Sequence, residues 1–123
     1  MRLAAPIAFA LAMTASSTAF AHATLLRASP AAGATIGKTG TIALDFSDDL
    51  VAAQSGIDLV MTAMPGMADH PPMPIKGIAA IAKGKTLSIA LPRPLPAGTY
   101  QLTWHVAGAD QHKVEGRYSF TVR

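Results

Sequence analysis

Cysteine is absent from this 123-residue chain. Without thiols there is neither a disulfide framework nor a thiolate metal site, so the fold must rest on apolar packing. Charge is also sparse, at 14% of residues. Lys38, Lys76, Lys83, Lys85 and Lys113 are scattered rather than clustered, which argues against a nucleic-acid partner. One Trp and two Tyr offer no aromatic platform on which a substrate would stack. Long apolar runs are missing too. The longest, residues 3–13, falls short of the roughly 20 residues a membrane-spanning helix needs.

That short run has a different meaning. Met1 and Arg2 precede it, small polar residues follow at 14–18, and Ala19-Phe20-Ala21 has the small-x-small form of a signal-peptidase site. Residues 1–21 therefore read as a secretory signal, leaving one domain at residues 22–123 and no transmembrane anchor after cleavage. Ala21-His22-Ala23 has the same form, and cleavage there would remove His22; Phe20 at the centre of the upstream site favours a start at His22. A domain of about 100 residues buries roughly two thirds of its unfolded surface, enough for an autonomous core.

The remaining chain alternates with a period of two, as half-buried strands do. Ile42, Leu44 and Phe46 form one such set, Ile57, Leu59 and Met61 a second, and Leu87, Ile89 and Leu91 a third. Tyr100, Leu102, Trp104 and Val106 form a fourth, and Val114, Tyr118, Phe120 and Val122 a fifth. Weaker strands are expected at residues 23–27 and 75–81. Turn residues separate them at Ser29-Pro30 with Gly33, Lys38-Thr39-Gly40, Lys83-Gly84-Lys85 and Pro94-Leu95-Pro96-Ala97-Gly98. The pattern predicts an all-β fold: a single Greek-key, immunoglobulin-like β-sandwich or barrel of about seven strands.

Residues 64–74 break the pattern. Pro71, Pro72 and Pro74 follow Met64-Pro65-Gly66, which excludes a central strand and predicts a loop. Yet Met61, Met64, Met67 and Met73 are all the methionines beyond the signal, and His70 lies among them. Thioether sulfur is a soft, neutral donor that suits Cu(I). Four such donors and an imidazole on a proline-stiffened loop could hold that ion. The alternative is that one or two of them, Met61 first, fill gaps beneath the loop as methionine commonly does.

A second donor set uses nitrogen and oxygen. If cleavage follows Ala21, His22 offers both its α-amine and its imidazole to one metal. With an amine pKa of about 7.7–8.0, its proton is readily displaced near neutral pH. Asp110 and His112, in the connection after the Trp104 strand, could add a carboxylate and a second imidazole, completing a tetragonal environment that favours Cu(II). Otherwise Asp110 opens a turn and His112 is a solvated loop residue. His105 alternates with Trp104 and is expected to face solvent.

These residues carry a resemblance to the CopC family of periplasmic copper-resistance proteins, extending over essentially the whole mature chain. The matching pieces are His22-Ala23, Ser29-Pro30-Ala31-Ala32-Gly33, Leu44-Asp45-Phe46-Ser47, the run from Val60 to Met67, and Gly98-Thr99-Tyr100 leading to Trp104 and Asp110-Gln111-His112. The resemblance implies a seven-stranded Greek-key fold with two copper sites at separate ends. It implies His22, Asp110 and His112 at Cu(II), and His70 with Met61, Met64, Met67 and Met73 at Cu(I). The spacer from Met67 to His70 and Met73 is one residue longer than in close relatives, and Lys113 stands where proline commonly follows the Asp-x-His.

The function expected is a periplasmic copper chaperone or buffer that passes copper to a membrane transporter or another periplasmic copper protein, and not an enzyme. Two alternatives are a copper-dependent oxidative enzyme built on the N-terminal histidine, and an immunoglobulin-like envelope module whose histidines and methionines are incidental. The short, aromatic-poor chain and the carboxylate filling the copper plane weigh against catalysis, which needs an open coordination position.

Overall fold

The computed structural model describes residues 23–67 and 71–123; residues 1–22 and 68–70, and with them the expected signal, His22 and His70, lie outside the described residues. The strands are β1 (Leu25–Ser29), β2 (Thr35–Ile36), β3 (Thr41–Phe46), β4 (Gly56–Ala63), β5 (Met73–Pro74), β6 (Ala79–Lys83), β7 (Thr86–Ala90), β8 (Gly98–Ala107) and β9 (Lys113–Val122), with a single 3-10 turn at Ala52–Gln54. One sheet has the order β1-β3-β7-β6 and the other β2-β9-β8-β4-β5. Every pairing is antiparallel except the short parallel contact of β2 with β9. The fold is the all-β, two-sheet sandwich that the alternation predicts: seven longer strands and two of only two residues. Among the described residues no helix is long and apolar enough to cross a membrane.

The inward residues of the five alternating sets make the core. Ile42, Leu44 and Phe46 of β3 face Tyr100, Leu102, Trp104 and Val106 of β8, and all of these are buried. Tyr100 stacks on Phe120 with ring centres 5.6 Å apart, and Phe46 meets Trp104 edge-on at 5.1 Å. No charged or polar residue is fully buried among the described residues, so apolar area alone supplies the interior that disulfides would otherwise staple. Gly116, the register partner of Trp104, makes that packing possible. A Cβ built there would stand 2.4 Å from Trp104 Cζ2, inside the indole's own volume. Gly116→Ala is expected to lower stability by about 1–3 kcal/mol through overpacking. Gly40→Ala, with nothing within 4 Å, serves as the control in the same urea titration and should shift little.

Two tyrosines tie strand ends to connections. Tyr100 Oη donates to the Pro96 carbonyl at 2.6 Å, and Tyr118 Oη to that of Pro30 at 2.8 Å. Burial pushes both hydroxyls up, each to about 12. In the unfolded chain a tyrosine ionises near 10. Stability from these groups is therefore whole below about pH 10 and falls as pH rises toward 12, where the unfolded chain has released protons that the folded one keeps. Urea midpoints should drop between about pH 9.5 and 11.5, and Tyr100→Phe should flatten part of that drop.

The weaker strands settle slightly differently from expectation. The first runs Leu25–Ser29, and the segment at 75–81 resolves into β6 at Ala79–Lys83. The loop at 64–74 is bounded by two short pairings: Met64 bridges Met67, and β5 adds Met73 and Pro74 to the edge of β4. An edge strand accommodates Pro74, which has no N–H to give to a further neighbour.

Candidate metal centre

At one end of the sandwich the segment ahead of β1 is sewn to the end of β3. Thr24 N–H donates to Ser47 Oγ at 2.8 Å, and Ser47 N–H returns to the Thr24 carbonyl at 2.9 Å. Ala23 is 1% exposed, so its methyl belongs to the core and the ordered domain begins no later than this residue. The following loop is fixed to the β8–β9 connection, because Val51 N–H donates to the Ala107 carbonyl at 2.9 Å and Leu50 bridges Gly108.

That connection carries the Asp-x-His. His112 N–H donates to Asp110 Oδ1 at 3.0 Å, closing an Asx turn, and His112 Nδ1 lies 3.4 Å from Asp110 Oδ2. Gln111 between them takes φ of 65°, and its N–H donates to the Gly108 carbonyl at 2.8 Å. Asp110 thus opens a turn, as the plainer reading of the motif had it, and the same turn brings carboxylate and imidazole together at the surface. His22, the expected third member, lies outside the described residues, two positions before Thr24. Among the described residues no three His, Cys, Asp or Glu side chains gather as a metal-binding group.

Sequence reasoning passed over Asp48. It follows Ser47, which pairs with Thr24, and precedes Leu50, which bridges Gly108, so the backbone sets it between Thr24 and the Asp110 turn. It is half-buried, whereas Asp49 is exposed. The one signal in the sequence is the pair Asp48-Asp49, one residue beyond the end of an apolar strand.

The methionines occupy the opposite end, where β4 finishes and β8 begins. Strand β8 is ten residues long, so the two ends stand about 30 Å apart. The methionines pair two by two. Met61 is the register partner of Met73 across β4 and β5. Met64 and Met67 exchange backbone hydrogen bonds of 3.3 and 2.9 Å around a Pro65-Gly66 corner, with Gly66 at the φ of 79° that a type II turn requires. Met61 is 4% exposed and part of the core, while Met67 and Met73 are 51% and 46% exposed. Met64 is half-buried against the core. A Cβ at Gly98 would lie 3.0 Å from Met61 Cε, 3.5 Å from its sulfur and 2.6 Å from the Ala63 carbonyl, so the bare glycine backbone is what seats the Met61 thioether. Gly98 also floors an open cleft of about 560 Å³ lined by Met64, Met67, Thr99, Val122 and Arg123. His70, between Met67 and Met73 in the chain, lies outside the described residues.

His105 is exposed on the outer face of its sheet, as expected. Its ring covers Gly56, where a Cβ would meet Cε1 at 2.7 Å.

The CopC domain model matches residues 25–123. The copper resistance protein C of Xanthomonas campestris pv. juglandis is 42% identical over 122 residues, covering 98% of this chain and 95% of that protein. Its counterpart from Pseudomonas syringae pv. tomato is 42% identical over 118 residues, covering 94% and 91%. Among solved structures, PcoC, a methionine-rich copper resistance protein from Escherichia coli, superposes with a TM-score of 0.74 at 38% identity, covering 84% of this chain and all of that one. CopC from Methylosinus trichosporium OB3b gives 0.66 at 29% identity, covering 82% and 93%.

Proposed function

Because the chain belongs to the CopC family, we propose that it is an exported, periplasmic copper-binding protein of copper resistance, holding Cu(II) at its mature N-terminus and Cu(I) at its methionine end. The observation that carries this reading is the sorting of donors: carboxylates and imidazole at one end of the sandwich, thioethers at the other, separated by the length of β8. Donors of different softness select different oxidation states of the same metal.

At the chain start, the His22 amine and imidazole, His112 and Asp110 are the ligand set, with Asp48 as a further carboxylate. Asp110 Oδ2 and His112 Nδ1 lie 3.4 Å apart, close enough for carboxylate and imidazole to meet one metal ion. At the other end, Met61, Met64, Met67 and Met73 with His70 are the ligand set; the Met67 and Met73 thioethers are exposed, Met64 is half-buried, and the Met61 thioether is buried beside Gly98. Carboxylates that fill the Cu(II) coordination leave no vacancy for a substrate, so the protein carries copper rather than turning it over. Passage to a membrane transporter or to another periplasmic copper protein completes the role.

Intact-mass spectrometry of the exported protein tests it. The expected mass begins at His22 and gains two copper ions per chain when both oxidation states are supplied. A mass beginning at Thr24, or no retained copper, would overturn the assignment. Copper bound only to the native state should also raise the melting temperature by mass action.

A further inference from the structure

Charge is distributed unevenly between the two ends of the sandwich. The methionine end comprises the finish of β4, β7 and β9 and the start of β3, β6 and β8, tied together where Leu91 N–H donates to the Gly40 carbonyl and Leu95 N–H to that of Thr39. Lys38, Lys76, Arg93 and Arg123 project there, all exposed. No Asp or Glu side chain stands among the described residues of that end; Asp69 lies outside them. At the chain-start end Lys83, Lys85 and Lys113 are interspersed with Asp48, Asp49 and Asp110. A positive field opposes the arrival of a free metal cation and attracts an anionic macromolecule. A Cu(I) site inside such a field is better suited to exchange with a carrier than to capture from solution.

The same end holds a slot of about 440 Å³, walled by Pro74, Pro92, Pro94 and Pro96 over a floor of Ile75 and Leu95. Lys76 and Arg93 flank it. Leu95 is 2% exposed, and Gly77, at φ of 79°, would place a Cβ 3.6 Å from Pro92 Cγ, so the two walls are packed against each other. Four prolines in the walls leave little backbone freedom to lose when something binds. The slot starts at Pro74, next to Met73 with its half-exposed thioether.

We infer that this slot docks an acidic segment of the protein that exchanges copper with this one, an apolar side chain entering between the prolines and carboxylates meeting Lys76 and Arg93. The inference rests on reading the neighbouring methionines as the Cu(I) site. Concavity favours a peptide: a lipid surface would meet the cations and leave the slot unfilled.

The test uses copper-free exported protein, labelled with nitrogen-15, and a capped peptide of alternating Asp and Glu around a central Leu-Met pair. Its Asn/Gln counterpart and phosphatidylglycerol vesicles are run alongside. The acidic peptide should shift the amides of Ile75, Lys76, Arg93 and Leu95, and binding should weaken about tenfold or more in Lys76→Glu/Arg93→Glu and in high salt. Lys83→Glu/Lys85→Glu, at the far end, should leave it unchanged. Equal binding of the Asn/Gln peptide, shifts centred on residues 83–85, vesicle binding without peptide binding, or no binding at all would each overturn the inference. Copper is absent from these titrations, so their failure is distinct from a failure of the Cu(I) assignment, which is read by copper titration alone.

Discussion

Protein carrying one extra residue ahead of His22 is expected to bind Cu(II) about a hundredfold more weakly or worse, with Cu(I) affinity unchanged. The magnitude follows from ligand count. Losing a group that merely supports a ligand already costs about 10–100-fold in metal affinity, and here a ligand nitrogen and its chelate ring are lost together. The amide nitrogen that takes the amine's place is far less basic than the amine, and the His22 chelate ring closed by the free amine is gone. The fold gives the change no other route to act. Ala23 is buried and Thr24 is paired with Ser47, and both lie downstream of the addition, so the metal-free melting temperature should not move. The native protein should also gain Cu(II) affinity as pH rises toward about 8, because the amine must give up its proton. The extended protein should lack that step. Competition against a chromophoric chelator reads both effects, and equal Cu(II) affinity in the two proteins would eliminate the amine from the site.

How much of this was legible beforehand depends on whether a feature repeats locally. Strands β3, β4, β7, β8 and β9 alternate a more buried residue with a less buried one along most of their length, and the period identifies them without any tertiary knowledge. Strands β2 and β5 have two residues each and no period; Thr35 is a strand residue only because Thr121 lies beside it, and Met73 only because of Met61. In β6 the apolar signal points the wrong way, since Ile81 is 60% exposed while the smaller Ala80 and Ala82 turn toward the core.

The candidate metal donors divide along the same line. Clustering of methionines and the Asp-x-His are local and visible in the sequence. The pairing of Met61 with Met73 and the position of Asp48 between the Ser47–Thr24 and Leu50–Gly108 contacts arise from contacts between distant segments, while the Asx turn that sets Asp110 against His112 is local but depends on conformation rather than pattern. Asp48 was invisible for that reason: its place depends on Ser47 finding Thr24 and Leu50 finding Gly108.

Replacing Met64 and Met67 together by leucine is expected to weaken Cu(I) binding roughly a hundredfold and leave Cu(II) binding intact. Leucine keeps nearly the same volume, a swap that costs less than about 1.5 kcal/mol even in cores. Here it changes side chains only at a turn held by backbone hydrogen bonds. The Pro65-Gly66 corner should therefore persist, carrying two hydrocarbon tips where it carried two thioethers. Met61→Leu is the informative comparison. Met61 is 4% exposed with its sulfur over Gly98, so if it serves mainly as core the variant should lose a little stability and little Cu(I) affinity. If its sulfur completes the site from beneath, Cu(I) affinity should fall as it does for Met64 and Met67. Independence of the Cu(II) site follows from distance. The ends of β8 are about 30 Å apart, several times the Debye length of about 8–10 Å at physiological salt, and beyond the range over which substitutions usually couple. Parallel loss of Cu(II) in the Met64/Met67 variant would mean that the two ends of the sandwich communicate through the sheets, and that the donor sets do not act as separate sites.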